Sequence, residues 1–462
     1  MPLLNAIKIG ICSLLAVFLL TDCHPKAAWE KRDFADIRQS GELHVLTLFG
    51  SMSYFIYKGE QRGYEYELIN DFAENHGLKL HIHLAENEAR LTEMLLQGQG
   101  DVIAYPISMT AEGKSTLNYC GWNIINRQVL VQRANRGDTL LHNVTELIGK
   151  EVWVIHNTKY FHRIHNLNNE LGGGILIRTI DRDTVSVEDL IEMVSKGQIA
   201  YTLADNDMAQ LNKTYFHNIN AAMAVSHPQR SSWAVRAYSK QLADSLDRWF
   251  ADYRNSPRRR SILKRYFEMS KMPGDEPVPL LSAKQISPFD SLFRQYSPLI
   301  AWDWRLLASL AYQESKFYID RVSWSGATGL MGLMPKTAEA FGLSADSLDN
   351  PEGSILAAVH LIKRLNRSFA TVSDEQERIK FILAAYNAGS GHVYDAQALA
   401  QKYGKNPYIW DNNVEEGLKM KSMPEYYNDT IVKQGYLRAT ETVNYVRSVI
   451  ERWHYYQEKI TE

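Results

Sequence analysis

The stretch Met-Pro-Gly-Asp-Glu-Pro-Val-Pro at 272–279 constrains this chain more than any other. Its prolines remove backbone donors and fix φ, so neither a helix nor a paired strand runs through it. The periodicity differs on its two sides. Upstream, residues 43–49 read as a strand, 66–76 as a helix stopped by Gly77, and 78–84 as a strand. A helix over 91–97 closed by Gly98 and a strand over 101–106 follow, and the alternation recurs over 147–211. A strand and helices return over 228–268. Strands alternating with helices imply α/β sheets. Downstream of the break, helix-period patterns dominate. The expected architecture is a two-lobed α/β domain over 41–268, with lobe 1 at 41–130 plus 228–268 and lobe 2 at 131–227. A linker over 269–284 and a mainly α domain over 285–462 complete it.

The start of the chain carries an address. Residues 9–20 are a nearly unbroken apolar run preceded by Lys8. Twelve residues are too few to cross a bilayer core, which needs about 20. A short basic start before a short apolar run reads as a secretory signal over 1–22. The run ends Leu-Thr-Asp-Cys at 20–23, which resembles a bacterial lipobox with Asp22 where a small residue is usual. The resemblance implies acylation of Cys23, a tether over 23–40, and an outer-membrane anchor on the periplasmic face. His24 is not the Asp that marks inner-membrane retention. Of the three cysteines, at 12, 23 and 120, only Cys120 would stay as a thiol. A net charge of −2 offers no basic field for nucleic acid. The local cluster Arg258, Arg259, Arg260, Lys264 and Arg265 reads as a solvated helix face.

The chemistry is expected downstream of the break. Asp303 can cap a helix in which Trp304, Leu307, Ala308 and Ala311 form one apolar face. Glu314 continues that stripe at the helix's C-terminal end. A carboxylate there is costly unless paired or protonated, and the helix dipole opposes its charge. By position alone it is equally an exposed helix end. Downstream, Gly326, Gly329 and Gly332 recur every third residue in 323–335, where a backbone can approach a ligand closely. Tyr386, Asn387 and Gly389 end a later helix, and Tyr445 lies on an amphipathic one.

These four pieces, in this order, resemble the lysozyme-like domain of family 1, soluble-type lytic transglycosylases. The matches are Glu-Ser at 314–315, Ser-x-x-Gly-Ala-x-Gly-Leu-Met at 323–331, Ala-Tyr-Asn-Ala-Gly at 385–389 and Glu-Thr-x-x-Tyr-Val at 441–446. Gly332 departs from the Gln of many members. The resemblance implies a lyase that cleaves peptidoglycan glycan strands and leaves 1,6-anhydromuramyl ends. It implies Glu314 as the one acid/base, with neither metal nor cofactor. Ser323, Met331, Tyr386, Asn387 and Tyr445 are then candidates for the substrate groove, each with a packing or capping role as its alternative. A goose-type hydrolytic lysozyme and a non-catalytic wall sensor are the competing functions.

Residues 41–268 resemble family 3 extracellular solute-binding proteins, through 63–68, 95–104 and 197–205. The resemblance implies two lobes closing on a ligand. Tyr54 and Phe55 would line the cleft, and Asp205 would bind an ammonium. The family's Arg three residues after Thr110 is Gly113 here, with Lys114 beside it. Lys is a point charge rather than a bidentate fork. A muropeptide or amino-acid ligand and a purely scaffolding cleft both remain open.

Overall fold

The computed structural model describes residues 32–180, 185–269 and 285–460. The signal segment, Cys23 and the Pro-rich break lie outside them. Among the described residues, twelve strands run in chain order: β1 Glu42–Leu48, β2 Phe55–Tyr57, β3 Glu60–Arg62, β4 Lys79–Ala85, β5 Val102–Ser108, β6 Leu117–Asn126, β7 Gln128–Arg133, β8 Glu151–Ile155, β9 Leu176–Ile180, β10 Tyr201–Asp205, β11 Ile219–Asn220 and β12 Gln229–Arg236. The described chain forms two compact units.

The first unit takes residues up to 48, 70–123 and 231–252. Its sheet has the order β4-β1-β5-β12-β6. β1 pairs in parallel with β4 and β5, and β12 returns antiparallel to β5. Leu46, Ile103 and Ala234 from three strands pack on Leu91 and Leu95 of the helix Glu88–Leu96. Asp101 is fully buried before β5. Arg32 and Arg236 lie at 3.2 and 3.6 Å, and His44 N–H donates to it at 3.0 Å. A buried carboxylate is tolerable only with such partners. Cys120 is buried as a free thiol.

The second unit holds residues 49–69, 124–230 and 253 onward. Its sheet has the order β11-β7-β10-β8-β9, and separate apolar clusters form around Leu130 and Leu203, and around Val131 and Ile191. Its helical body contains Trp304–Ser315, Pro351–Ser368, Glu375–Ala388, Ser390–Lys402 and Ala439–Lys459. Leu306, Leu307, Leu310, Ile362, Phe381, Val449 and Tyr456 share its core. Burying each such leucine contributes about 1.5–3 kcal/mol. The fold is therefore a two-lobed binding-protein-like region followed by a helical domain.

The helices Trp304–Ser315 and Ala439–Lys459 are pinned along their length. Trp453 Nε1 and Gln457 Nε2 each donate to Asp303 at 3.0 Å. Ser309 Oγ donates to Val449 O at 2.7 Å, and Tyr445 OH to Glu314 at 2.5 Å. Contacts that ascend one helix while descending the other make the pair antiparallel. The hairpin β2–β3 belongs to this unit too, although it precedes the helical body by more than 200 residues in sequence.

Candidate active site

Glu314 sits in the last turn of Trp304–Ser315, where the apolar stripe places it against the core. The helix stops at once: Lys316 and Phe317 take φ of 54° and 65°, a left-handed turn that bulky residues rarely adopt. The Glu314 side chain is only 8% exposed. Tyr445 OH donates to its Oε1 at 2.5 Å. Burial, then the charge of Glu314, pushes the Tyr445 phenol well above its ordinary range. It therefore stays a hydrogen-bond donor at any working pH.

The glycine loop closes the other side. Gly332 takes φ of 58°, and a Cβ there would collide with Glu314 Oε2. Glycine at this position thus lets the loop lie directly against Glu314. Gly329 is equally confined, against Leu348 O. Met331 does not present its side chain to a groove: it is fully buried, and its carbonyl accepts Tyr386 OH at 2.7 Å. Tyr386 is buried beside the Glu314 charge, and both effects hold its phenol protonated. Ser323 Oγ accepts Ala327 N–H at 2.9 Å, which folds the loop on itself. Asn387 is buried and accepts Thr442 Oγ1 at 2.7 Å. Glu314, Tyr386, Asn387, Tyr445 and the Met331 backbone are therefore brought together, and Ser323 shapes the loop they share.

One participant is invisible to motif reading. The turn of β2–β3 is Lys58-Gly59, with φ of 51° and 77°. Lys58 Nζ stands 3.2 and 3.5 Å from the two Glu314 oxygens and donates to Gly332 O at 3.1 Å. Its side chain is 9% exposed. The flanks of the turn are anchored as well. Lys58 N–H donates to Ala388 O at 3.1 Å, and His392 Nε2 meets Ile56 O at 2.8 Å. Tyr57 OH contacts Glu441 at 3.3 Å and receives Asn387 Nδ2 at 3.4 Å. Because Ile56 O is an acceptor, His392 must carry its proton on Nε2. Burial and the nearby Lys421 charge push its pKa down to about 3. Gly59 suits the positive φ that a two-residue hairpin turn needs; nothing local says where the hairpin docks.

Three of the residues expected to line a ligand cleft have partners of their own. Phe55 packs against Trp324 with ring centroids 6.2 Å apart. Tyr54 is buried, with its ring against Phe49 and Tyr66, and accepts Gln61 Nε2 at 2.9 Å. Asp205 pairs with Lys159 at 2.5 Å. Lys114 lies exposed in the turn Gly113–Ser115 of the first unit. A Cβ at Gly113 would displace Tyr119 Oη, so a larger residue there requires that ring to move. Among the described residues, no group of three or more His, Cys, Asp or Glu could hold a metal ion.

The comparisons with known proteins divide the chain at the same break. Residues 291–409 match the transglycosylase SLT domain, and 47–269 match bacterial extracellular solute-binding proteins, family 3. A "Membrane-bound lytic murein transglycosylase F" of Desulfosudis oleivorans is 31% identical over 92% of this chain and 91% of its own. One of Pseudomonas putida strain GB-1 is 29% identical over 89% and 84%. The crystal structure of Lactococcus lactis GlnP substrate binding domain 2 in open conformation aligns at 17% identity with a TM-score of 0.41. It covers 49% of this chain and 96% of that one.

Proposed function

The chain belongs to the membrane-bound lytic murein transglycosylase F family, and on that premise we propose how it acts on peptidoglycan. It is a lytic transglycosylase. Glu314, protonated, gives its proton to the glycosidic oxygen between N-acetylmuramic acid and N-acetylglucosamine, and the bond from that oxygen to the muramyl C1 breaks. The 2-acetamido group stabilises the positive centre at C1. Glu314, now a carboxylate, takes the proton of the muramyl 6-hydroxyl as its oxygen bonds to C1. The anhydro ring closes without water. Tyr445 fixes the carboxylate through the 2.5 Å bond, and Tyr386 holds the loop carbonyl beside it. The observation that carries this reading is one buried carboxylate held between a phenol and a glycine loop. Ordinary glycosidases instead set two carboxylates across the bond.

Lys58 gives the same site a resting state. Its ammonium stands 3.2 Å from the carboxylate that must carry a proton in the first step. The turn also occupies space that a glycan must enter. Turnover therefore requires the hairpin to leave, and we read the solute-binding-like region as what biases that departure. A wall-derived peptide or amino acid that binds the released state more tightly would shift the balance. At 100 times its dissociation constant it would also raise stability by about 2.7 kcal/mol, visible as a thermal shift.

The apolar run before Cys23 supports export and acylation, which would put the enzyme on the periplasmic face of the outer membrane. Among the described residues no helix is long and apolar enough to cross a membrane. The mass of the mature N-terminus tests the anchor. The deciding experiment for the reaction is digestion of purified sacculi by the full chain. 1,6-Anhydromuropeptides are expected, and reducing-end muramic acid would replace the lyase by a goose-type hydrolase.

A further inference from the structure

Strain collects at the end of the helix that carries Glu314. Lys316 and Phe317 both take left-handed φ, and such backbone persists only where its surroundings over-determine it. Tyr312 is part of those surroundings. Its carbonyl accepts Lys316 N–H at 2.8 Å, and its ring meets Phe317 edge-on with centroids 5.4 Å apart. Tyr312 therefore braces the turn that begins just past Glu314.

Tyr312 is gripped in turn by Arg452. The guanidinium lies over the Tyr312 ring, 4.7 Å from its centroid. Its Nη1 donates to Gln313 Oε1 at 3.1 Å and to Ser309 O at 3.4 Å. One side chain thus holds residues 309, 312 and 313, the stretch of helix that leads into Glu314. Tyr445 and Arg452 lie seven residues apart on Ala439–Lys459, which puts them on one face. The first takes the Glu314 carboxyl, and the second takes the turn before it.

Stability alone does not ask for an arginine here. Arg452 is partly buried, and among the described residues it makes no ion pair. Its Nε is buried without a hydrogen-bond partner. Desolvation holds the guanidinium's pKa below its ordinary value. A cation kept in this way is costly, and an apolar side chain of similar length would fill the space at less expense. What arginine adds is geometry: a planar fork that stacks on a ring and aims its N–H groups at fixed acceptors. It also brings positive charge to the negative end of the helix.

We propose that Arg452 is a positioning residue for the transglycosylase reaction, fixing the last turn of Trp304–Ser315 so that Glu314 stays aligned with the two oxygens it serves. The inference rests on the reading of Glu314 as the acid/base and adds the element that aims it. One carboxyl that gives a proton to the glycosidic oxygen and takes one from the 6-hydroxyl tolerates little displacement. A shift of about 1 Å can cost 10²-fold. Arg452 acts through Tyr312 and Gln313 and leaves the chemistry to Glu314.

The test uses the full-length enzyme on soluble glycan strands, with rates divided by the folded fraction from thermal unfolding. Arg452→Ala is expected to lower kcat by about 10–100-fold and to leave KM within twofold of wild type. Arg452→Lys keeps a cation over Tyr312 and loses the fork, so its kcat should fall between the two. Should Arg452→Ala fail to fold, Arg452→Lys carries the test through the same split between kcat and KM. A kcat per folded molecule within twofold of wild type in both variants, or a loss confined to KM, would overturn the inference and leave Arg452 as packing. The reading of Glu314 would stand in that case. A Glu314→Gln enzyme as active as wild type would overturn both.

Discussion

The helix Trp304–Ser315 carries a carboxylate at each end, and the two ends are held differently. Asp303 caps the N-terminus. It accepts Arg305 N–H at 2.9 Å, the Arg305 guanidinium at 2.9–3.1 Å, and Trp453 and Gln457 at 3.0 Å. All of these come from the helix itself or from Ala439–Lys459 packed along it. Glu314, at the C-terminus, has one partner from that frame, Tyr445. Its cation comes from the tip of a hairpin 256 residues upstream. A structural carboxylate is thus satisfied by groups that fold with it. Glu314, the acid of the proposed reaction, is satisfied by a group from outside that frame, one that the proposed reaction needs withdrawn. The difference also follows the helix dipole, which favours negative charge at the first end and opposes it at the second.

The largest expected effect sharpens that contrast. Glu314→Gln keeps the shape and removes the proton carrier. Anhydromuropeptide release from sacculi should fall by about 10²–10⁴-fold, the usual worth of a general acid/base. Activity that survives in Glu314→Gln would remove this residue from the mechanism.

Asp303→Asn should behave in the opposite way. Here the charge itself is structural. Burial works against the charge, but the hydrogen bonds from Arg305, Trp453 and Gln457 outweigh it and hold Asp303 at about 2. Loss of the cap and its charge-assisted bonds should cost about 2 kcal/mol. Turnover per folded molecule should stay near wild type. The pH dependence has a definite sign. A carboxylate depressed in the folded state adds stability above its unfolded pKa of about 4, and that stability is lost as pH falls through about 2. Because the group is partly exposed, solvent screening reduces the amount to about 1 kcal/mol. Acid unfolding of wild type and Asp303→Asn should therefore converge between pH 4 and 2. Curves that stay parallel would show that Asp303 is held by shape alone.

The two ends were also unequally legible in the sequence. The apolar stripe and Glu314 at its end follow from a 3.6-residue period, and β1, β4 and β5 lie close to the strands read at 43–49, 78–84 and 101–106, whereas β6 and β7 were not read from the sequence. The glycine loop was legible as a close approach, but spacing could not tell which surface it approaches. Hence Met331, expected along a groove, has its side chain in the core and offers only its carbonyl. Phe55 illustrates the same limit: alternation marks an apolar face, and here that face meets Trp324. Lys58 was beyond reach altogether. Its neighbours signal a hairpin, but the contact with Glu314 is tertiary, and a lone lysine in a turn is ordinarily solvated.

Lys58 is where the comparison is most easily broken. In the seated hairpin, Lys58→Ala leaves Glu314 buried with Tyr445 alone, and stranding one member of a buried pair costs about 3–5 kcal/mol. Glu314 can recover much of this by admitting water as the hairpin lifts. The remaining anchors, the Lys58 backbone bond to Ala388 and the His392 contact with Ile56, resist that motion. The net expectation is a rise of about tenfold in anhydromuropeptide release without added ligand, equivalent to about 1.4 kcal/mol. The variant should also respond less to any wall fragment that activates the wild type, because part of the shift has already been made. A rate that falls instead would mean that Lys58 belongs to the working site and positions Glu314 during turnover. An unchanged rate would mean that the backbone anchors alone seat the hairpin. In either case the distinction between a permanently held Asp303 and a releasable Glu314 would lose its basis in charge.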